Sequence, residues 1–219
     1  MIRPRCSGIW ARRLPTLAAQ FGAGLDRLVG NVARMSSPRR ANRGPAAAAE
    51  NRVALLVAAK ATFAEHGLDA PLNLIARTAG VGQGSLYRHF PSREAIILAV
   101  FEENLGQLEA MVANVDSTLD ELLAEIVDQI VEVAVLFDLF RLADSSDPRL
   151  AGIIGRLYAL LDEKLADDSR RGSVRRGVTA EEIFLAVGML GALLNKTPES
   201  ERAWVARKCW GLLQRALCD

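Results

Sequence analysis

"GVGQGSLYRHFPSRE", residues 80–94, sets four polar side chains, Ser85, Tyr87, Arg88 and His89, on one short helix. They are too polar for a core and too crowded for an ordinary solvated face, so the stretch reads as a surface built to touch something. Gln83 opens this helix, and Leu86 with Phe90 points inward at i, i+4 spacing. Pro91 stops it, and Ser92 caps the next one.

On the N-terminal side, a helical pattern runs from Ala46 with Val53, Leu56, Ala59 and Phe63 on one face, and it ends at "EHG", where Gly67 supplies a left-handed cap. A second helix, beginning near Pro71 and ending at Gly80, carries Leu72, Ile75, Ala76 and Ala79 inward. Ala76, Gly80 and Leu86 then have the spacing of a helix-turn-helix. A larger side chain at Ala76 would separate the helices, a Cβ at Gly80 would resist positive φ, and Leu86 pins the second helix to the first. The N-terminal residues of that helix are thereby held outward at major-groove depth.

C-terminal to the stretch, a fourth helix from Arg93 to about Val112 is expected to bury Ile97, Val100, Phe101, Leu105, Leu108 and Met111. Ser117 with Asp120 is read as the cap of a helix through Leu122, Ile130 and Phe137, and Asp147-Pro148 as the start of another. Thr179 with Glu182 forms a capping box, and Thr197-Pro198 opens a last helix through Trp204, Leu212, Leu213 and Leu217. With no alternating strand pattern of useful length, the fold class is all-α with about nine helices. The expected division is a basic extension over 1–44, a helix-turn-helix domain over 45–92 and a helical ligand-binding and dimerisation domain over 93–219.

Composition narrows the partners. The 219 residues carry a net charge of +1, but residues 1–92 hold 13 Lys+Arg against 4 Asp+Glu, and residues 93–219 hold 14 against 22. A basic end attracts phosphate backbones while an acidic remainder restricts binding to one face. Residues 1–44 resemble a transit peptide in composition, or an over-extended reading frame with Met35 as the true start; the second reading is favoured. No stretch approaches the roughly 18 apolar residues of a membrane span. Cys6, Cys209 and Cys218 have no metal-ligand spacing and are odd in number, which points to a reducing, cytoplasmic compartment. No nucleophile with a positioned base, phosphate loop or metal cluster is found, so no catalytic residue, cofactor or metal is expected. "DEKLADD", residues 162–168, reads as a solvated helix face.

"RVALLVAAKATFAEHG", "IARTAGVGQGSLYRHFPSREAI" and their order along residues 52–100 resemble the amino-terminal DNA-binding domain of the TetR family of transcriptional regulators. The remaining chain fits that family by helix content and position. The resemblance implies that Gln83 and Ser85 reach base edges or nearby phosphates, Gln having the geometry for adenine. It implies that Tyr87 and His89 contact phosphate, that Arg93 fills the place of a phosphate-binding lysine, and that Asn73 makes a polar backbone contact. Gly84 has nothing to read with and instead lets the backbone approach. Leu72 departs from the family's usual Ser or Thr, leaving the cap of the second helix to Asp69 or absent.

The resemblance also implies a homodimer on double-stranded DNA, at an operator with inverted half-sites about 34–36 Å apart. A small-molecule effector of unknown identity would release it, as from a repressor. Phe101, Asn104, Leu105, Phe137, Arg141 and Tyr158 are the expected effector contacts, with Phe140, Leu157 and Gln107 nearby. Gly188, Gly191 and Gly211 in the last two helices permit the close approach a dimer needs. The other reading is an effector-independent DNA-binding or helical interaction protein.

Overall fold

The computed structural model describes residues 44–132, 134 and 147–218. Among them the regular elements are eight helices: α1 (Gly44–His66), α2 (Leu72–Thr78), α3 (Gln83–His89), α4 (Arg93–Val112), α5 (Leu119–Glu132), α6 (Pro148–Ala166), α7 (Ala180–Asn195) and α8 (Glu199–Leu217). The reading of residues 1–43, and the expected contacts Phe137 and Arg141, lie outside the described residues. The chain divides into two units, residues 1–48 and 49–219; the second is described below.

Helices α1 to α3 and the first half of α4 share one core, made by Leu55, Leu56, Ala59, Phe63, Ile75, Ala76, Leu86, Phe90, Ile96, Ile97 and Val100. Val53 is not in it. It is 58% exposed, and Val57 is 60% exposed. Two residues along a helix rotate a side chain by about 200°, so a face centred on Leu55, Ala59 and Phe63 must turn Val53 away. Helix α1 ends at Gly67, whose φ is 77°. Helix α2 follows Pro71 with no side-chain cap, so Asp69 does not supply one. It ends with the Gly80 N–H donating to Arg77 O and the Val81 N–H to Ala76 O, a Schellman closure that needs the left-handed glycine, here at φ 64°.

Helix α4 begins on a side-chain cap, the Ser92 hydroxyl accepting from the Ala95 N–H at 3.2 Å. It buries Ile96 and Val112 beside the expected Ile97, Val100, Leu105 and Leu108, while Phe101 and Met111 are half-buried. Its inward stripe is therefore shifted by about one residue, because the N-terminal half faces α1 to α3 and the C-terminal half faces α5 and α6.

In the bundle, the cap of α5 falls one residue later than expected: the Thr118 N–H donates to the Glu121 carboxylate and the Glu121 N–H to the Thr118 hydroxyl. The two residues expected there are used over longer range. Lys164 donates to the Ser117 carbonyl at 2.7 Å and to its hydroxyl at 2.6 Å. Asp120 accepts from the Ser173 N–H at 2.9 Å and hydroxyl at 2.7 Å. The acids of residues 162–168, Asp162, Glu163, Asp167 and Asp168, are exposed as expected of a solvated face, but Lys164 between them is fully buried. Its stem crosses the bundle to satisfy Ser117, and burial, aided by nearby Arg170, pushes its pKa down. Gly172, at φ 66°, leaves room beside Asp120 where a Cβ would come within 2.3 Å of the carboxylate. Helices α6 and α7 start as expected, on Asp147 and on the Thr179–Glu182 capping box. In α8, Trp210 is buried and Trp204 is 60% exposed.

Candidate nucleic-acid interface

Helix α3 has one side-chain anchor, Leu86, which is fully buried, and Phe90 follows it into the core with its N–H donating to Leu86 O at 2.8 Å. With 100° per residue, the side opposite Leu86 is centred on Gly84 and Arg88 and flanked by Ser85 and Tyr87, while Gln83 and His89 lie within about 60° of Leu86 in phase, Gln83 at the open first turn. Gln83, Gly84 and Arg88 are exposed, and Tyr87 is 48% exposed. Ser85 and His89, one turn apart on the other side of Leu86 from Gln83 and Tyr87, are half-buried. Asn73, in the first turn of α2, is exposed.

The composition of this face suits a polyanion. Residues 51–93 contain five Arg or Lys and two Asp or Glu. Gly82 and Gly84 remove side chains at the helix's open N-terminal end, where a Cβ would meet no protein atom within 4 Å. Free N–H groups can therefore approach a phosphate there.

Arg93 does something the sequence did not indicate. Its Nη1 donates to the Ala70 carbonyl at 2.7 Å and also to the Leu68 carbonyl. This ties the start of α4 to the α1–α2 loop and leaves Nε and Nη2 as the groups able to face a phosphate. Next to it, backbone and Ser92 hydrogen bonds hold the Glu94 carboxyl below its ordinary value, so it stays ionised at the start of α4.

Arg88, to which the resemblance assigned no contact, is the side chain nearest the centre of the exposed face. Its helical phase was the signal that could have found it. Arg52 was missed altogether. Its guanidinium carbon stands 4.8 Å from the Phe90 ring centre, a pairing that no local spacing rule connects.

The expected effector contacts that fall among the described residues lie on α4 and α6. Phe101 and Asn104 are half-buried on α4, and Gln129 donates to the Asn104 carbonyl at 3.4 Å. Leu105 is 3% exposed, within the packed core. Tyr158 stacks on Phe184, ring centres 5.0 Å apart, joining α6 to α7. On its other side, α6 holds α4 through Arg156, which is bidentate on Glu109 at 2.8 and 2.6 Å and also reaches Glu102. Among the described residues, no group of three His, Cys, Asp or Glu could hold a metal ion, and no helix is long and apolar enough to cross a membrane.

Residues 55–100 match the family model of bacterial regulatory proteins of the tetR family. The transcriptional regulator MftR of Mycobacterium tuberculosis is 38% identical over 58 residues, 26% of this chain and 29% of that protein, so the chain spans less than a third of that relative. The HTH-type transcriptional repressor LfrR of Mycolicibacterium smegmatis is 26% identical over 168 residues, 74% of this chain and 75% of that protein. Among solved structures, a TetR regulatory protein of Mycobacterium vanbaalenii is similar at 29% identity and TM-score 0.55, over 80% of this chain and 98% of its own. A TetR transcriptional regulator of Streptomyces coelicolor is similar at 26% identity and TM-score 0.56, over 76% and 98%.

Proposed function

We propose that the chain, whose residues 55–100 match the family model of bacterial regulatory proteins of the tetR family, is a sequence-specific, DNA-binding repressor that reads an operator as a homodimer and leaves it when a small molecule binds the bundle. The observation that carries this is the exposed strip of α3, where Gln83, Arg88 and Tyr87 face outward around a bare Gly84 while Leu86 and Phe90 fix the helix from behind. Repression in particular is supported by the likeness to LfrR, named as a repressor.

In this reading, residues 45–92 are the DNA-binding domain and residues 93–219 the effector and dimerisation domain. Gln83 and Arg88 read base edges, and Ser85, Tyr87, His89, Asn73 and the free edge of Arg93 hold the backbone. Helix α4 is the connecting lever: its first half is part of the head's core, and its second half is gripped by Arg156 of α6. A small molecule that favours a tilted α4 weakens DNA binding by the same factor by which DNA weakens its own affinity. Phe101, Asn104, Leu105 and Tyr158, with Phe137 and Arg141, remain the proposed effector contacts.

Selection from random and genomic duplexes tests this, followed by titration of the winning site. Enrichment of an inverted repeat with half-sites about one helical turn apart is expected. Equal affinity for selected and random duplexes would count against a sequence-specific regulator.

A further inference from the structure

Arg52 is exposed on α1, and its guanidinium stands 4.8 Å from the centre of the Phe90 ring. Phe90 is a rigid platform. It is 1% exposed, and its N–H closes the last turn of α3. A guanidinium held against a fixed ring keeps its plane and its N–H edges in place, so less rotamer freedom is lost when those edges meet a partner. Two other cations of the head are already engaged: Lys60 pairs with Glu103 at 3.6 Å, and Arg93 is held on two carbonyls. Among the described residues, no ion pair holds Arg52.

The platform also fixes where that edge lies. Phe90 directly follows Arg88 and His89, the basic residues of the last turn of α3, so Arg52 joins them at the C-terminal end of the reading helix. Gln83, Ser85 and the free N–H groups occupy the other end. A duplex lying along α3 needs its backbone held at both ends, and the C-terminal end has no free N–H groups of its own to offer.

From this geometry we infer that Arg52 is a further phosphate-binding residue, supplied by the first helix and oriented by Phe90, for a phosphodiester of the duplex that α3 reads. The inference rests on the DNA-binding reading and deepens it. A phosphate contact adds affinity without sequence preference, and releasing its counterion contributes about 0.9 to the slope of log affinity against log salt.

The test is a salt titration of the full chain, wild type and the variants Arg52→Gln and Arg52→Lys, on the selected duplex and on an unrelated one, with thermal melting of each protein. Arg52→Gln is expected to weaken binding to both duplexes by about tenfold and to lower the salt slope by about one, while Arg52→Lys keeps the slope and loses part of the affinity. A wild type that binds no duplex at any salt would overturn the functional reading itself. If the wild type binds and Arg52→Gln matches it in affinity and slope, the assignment of Arg52 is wrong. A lower affinity with an unchanged slope, or a lowered melting temperature in its place, would make Arg52 a packing residue and equally overturn the phosphate contact.

Discussion

Gln83 and Tyr87 stand one turn apart on α3, yet their chemistry separates them. The amide of Gln83 can pair two groups of one base edge, whereas the phenol of Tyr87 is a single hydroxyl on a large apolar ring. Tyr87→Ala is expected to weaken binding to every duplex to a similar degree, and Gln83→Ala to relax preference at one base position by about 1–3 kcal/mol, as read from competition with single-base variants of the selected site. Parallel losses for the two variants across all sites would refute that division. The residues around them were legible in the sequence where their reasons were local. Gly80 was marked by the left-handed turn it must make, and Leu86 by its spacing to Ala76. Arg52, Lys164 and the inward use of Arg93 were not legible. Each acts on a partner more than twenty residues away, and no periodicity carries that information.

Among the helices, the α4–α6 contact has the clearest electrostatic signature. Hydrogen bonding to Arg156 holds the Glu109 carboxyl below its ordinary value. A carboxyl so lowered stabilises the fold at pH above the ordinary carboxylate range, and that contribution is lost as pH falls through its lowered value. Arg156→Met is therefore expected to melt below the wild type at about pH 7, with the gap closing toward about pH 3, when thermal unfolding of both proteins is followed across that range. A gap that persists undiminished at the acid end would mean that the clamp acts through packing of the arginine stem. Helix ends were legible where one cap dominated, as at Asp147 and Thr179. At α5, two overlapping candidates competed. Thr118 with Glu121 took the role because Lys164 and Ser173 had drawn Ser117 and Asp120 into longer-range bonds.

For the molecule as a whole, α7 and α8 keep large apolar side chains in solvent. Leu185, Met189 and Leu193, at i, i+4 and i+8 on α7, are 63%, 49% and 43% exposed, and Trp204 and Leu212 on α8 are 60% and 61% exposed. An apolar face of this kind fits a second copy of the chain. Met189→Glu is expected to halve the mass seen by light scattering and to reduce affinity for the full inverted repeat to that for one half-site; a dimer of unchanged affinity would place the interface elsewhere. The all-helical class was legible because every segment repeated one period, whereas an effector cavity depends on which distant side chains fail to meet. The buried bonds of the bundle have a consequence for the order in which the chain is made. The head's core is complete once residue 100 has left the ribosome. The bundle's ties span 47 residues from Ser117 to Lys164 and 53 from Asp120 to Ser173, and Val174 pairs with Cys218. The bundle therefore closes only after residue 218 emerges, and until then the apolar faces of α4 and α5 are in the care of whatever binds nascent chains.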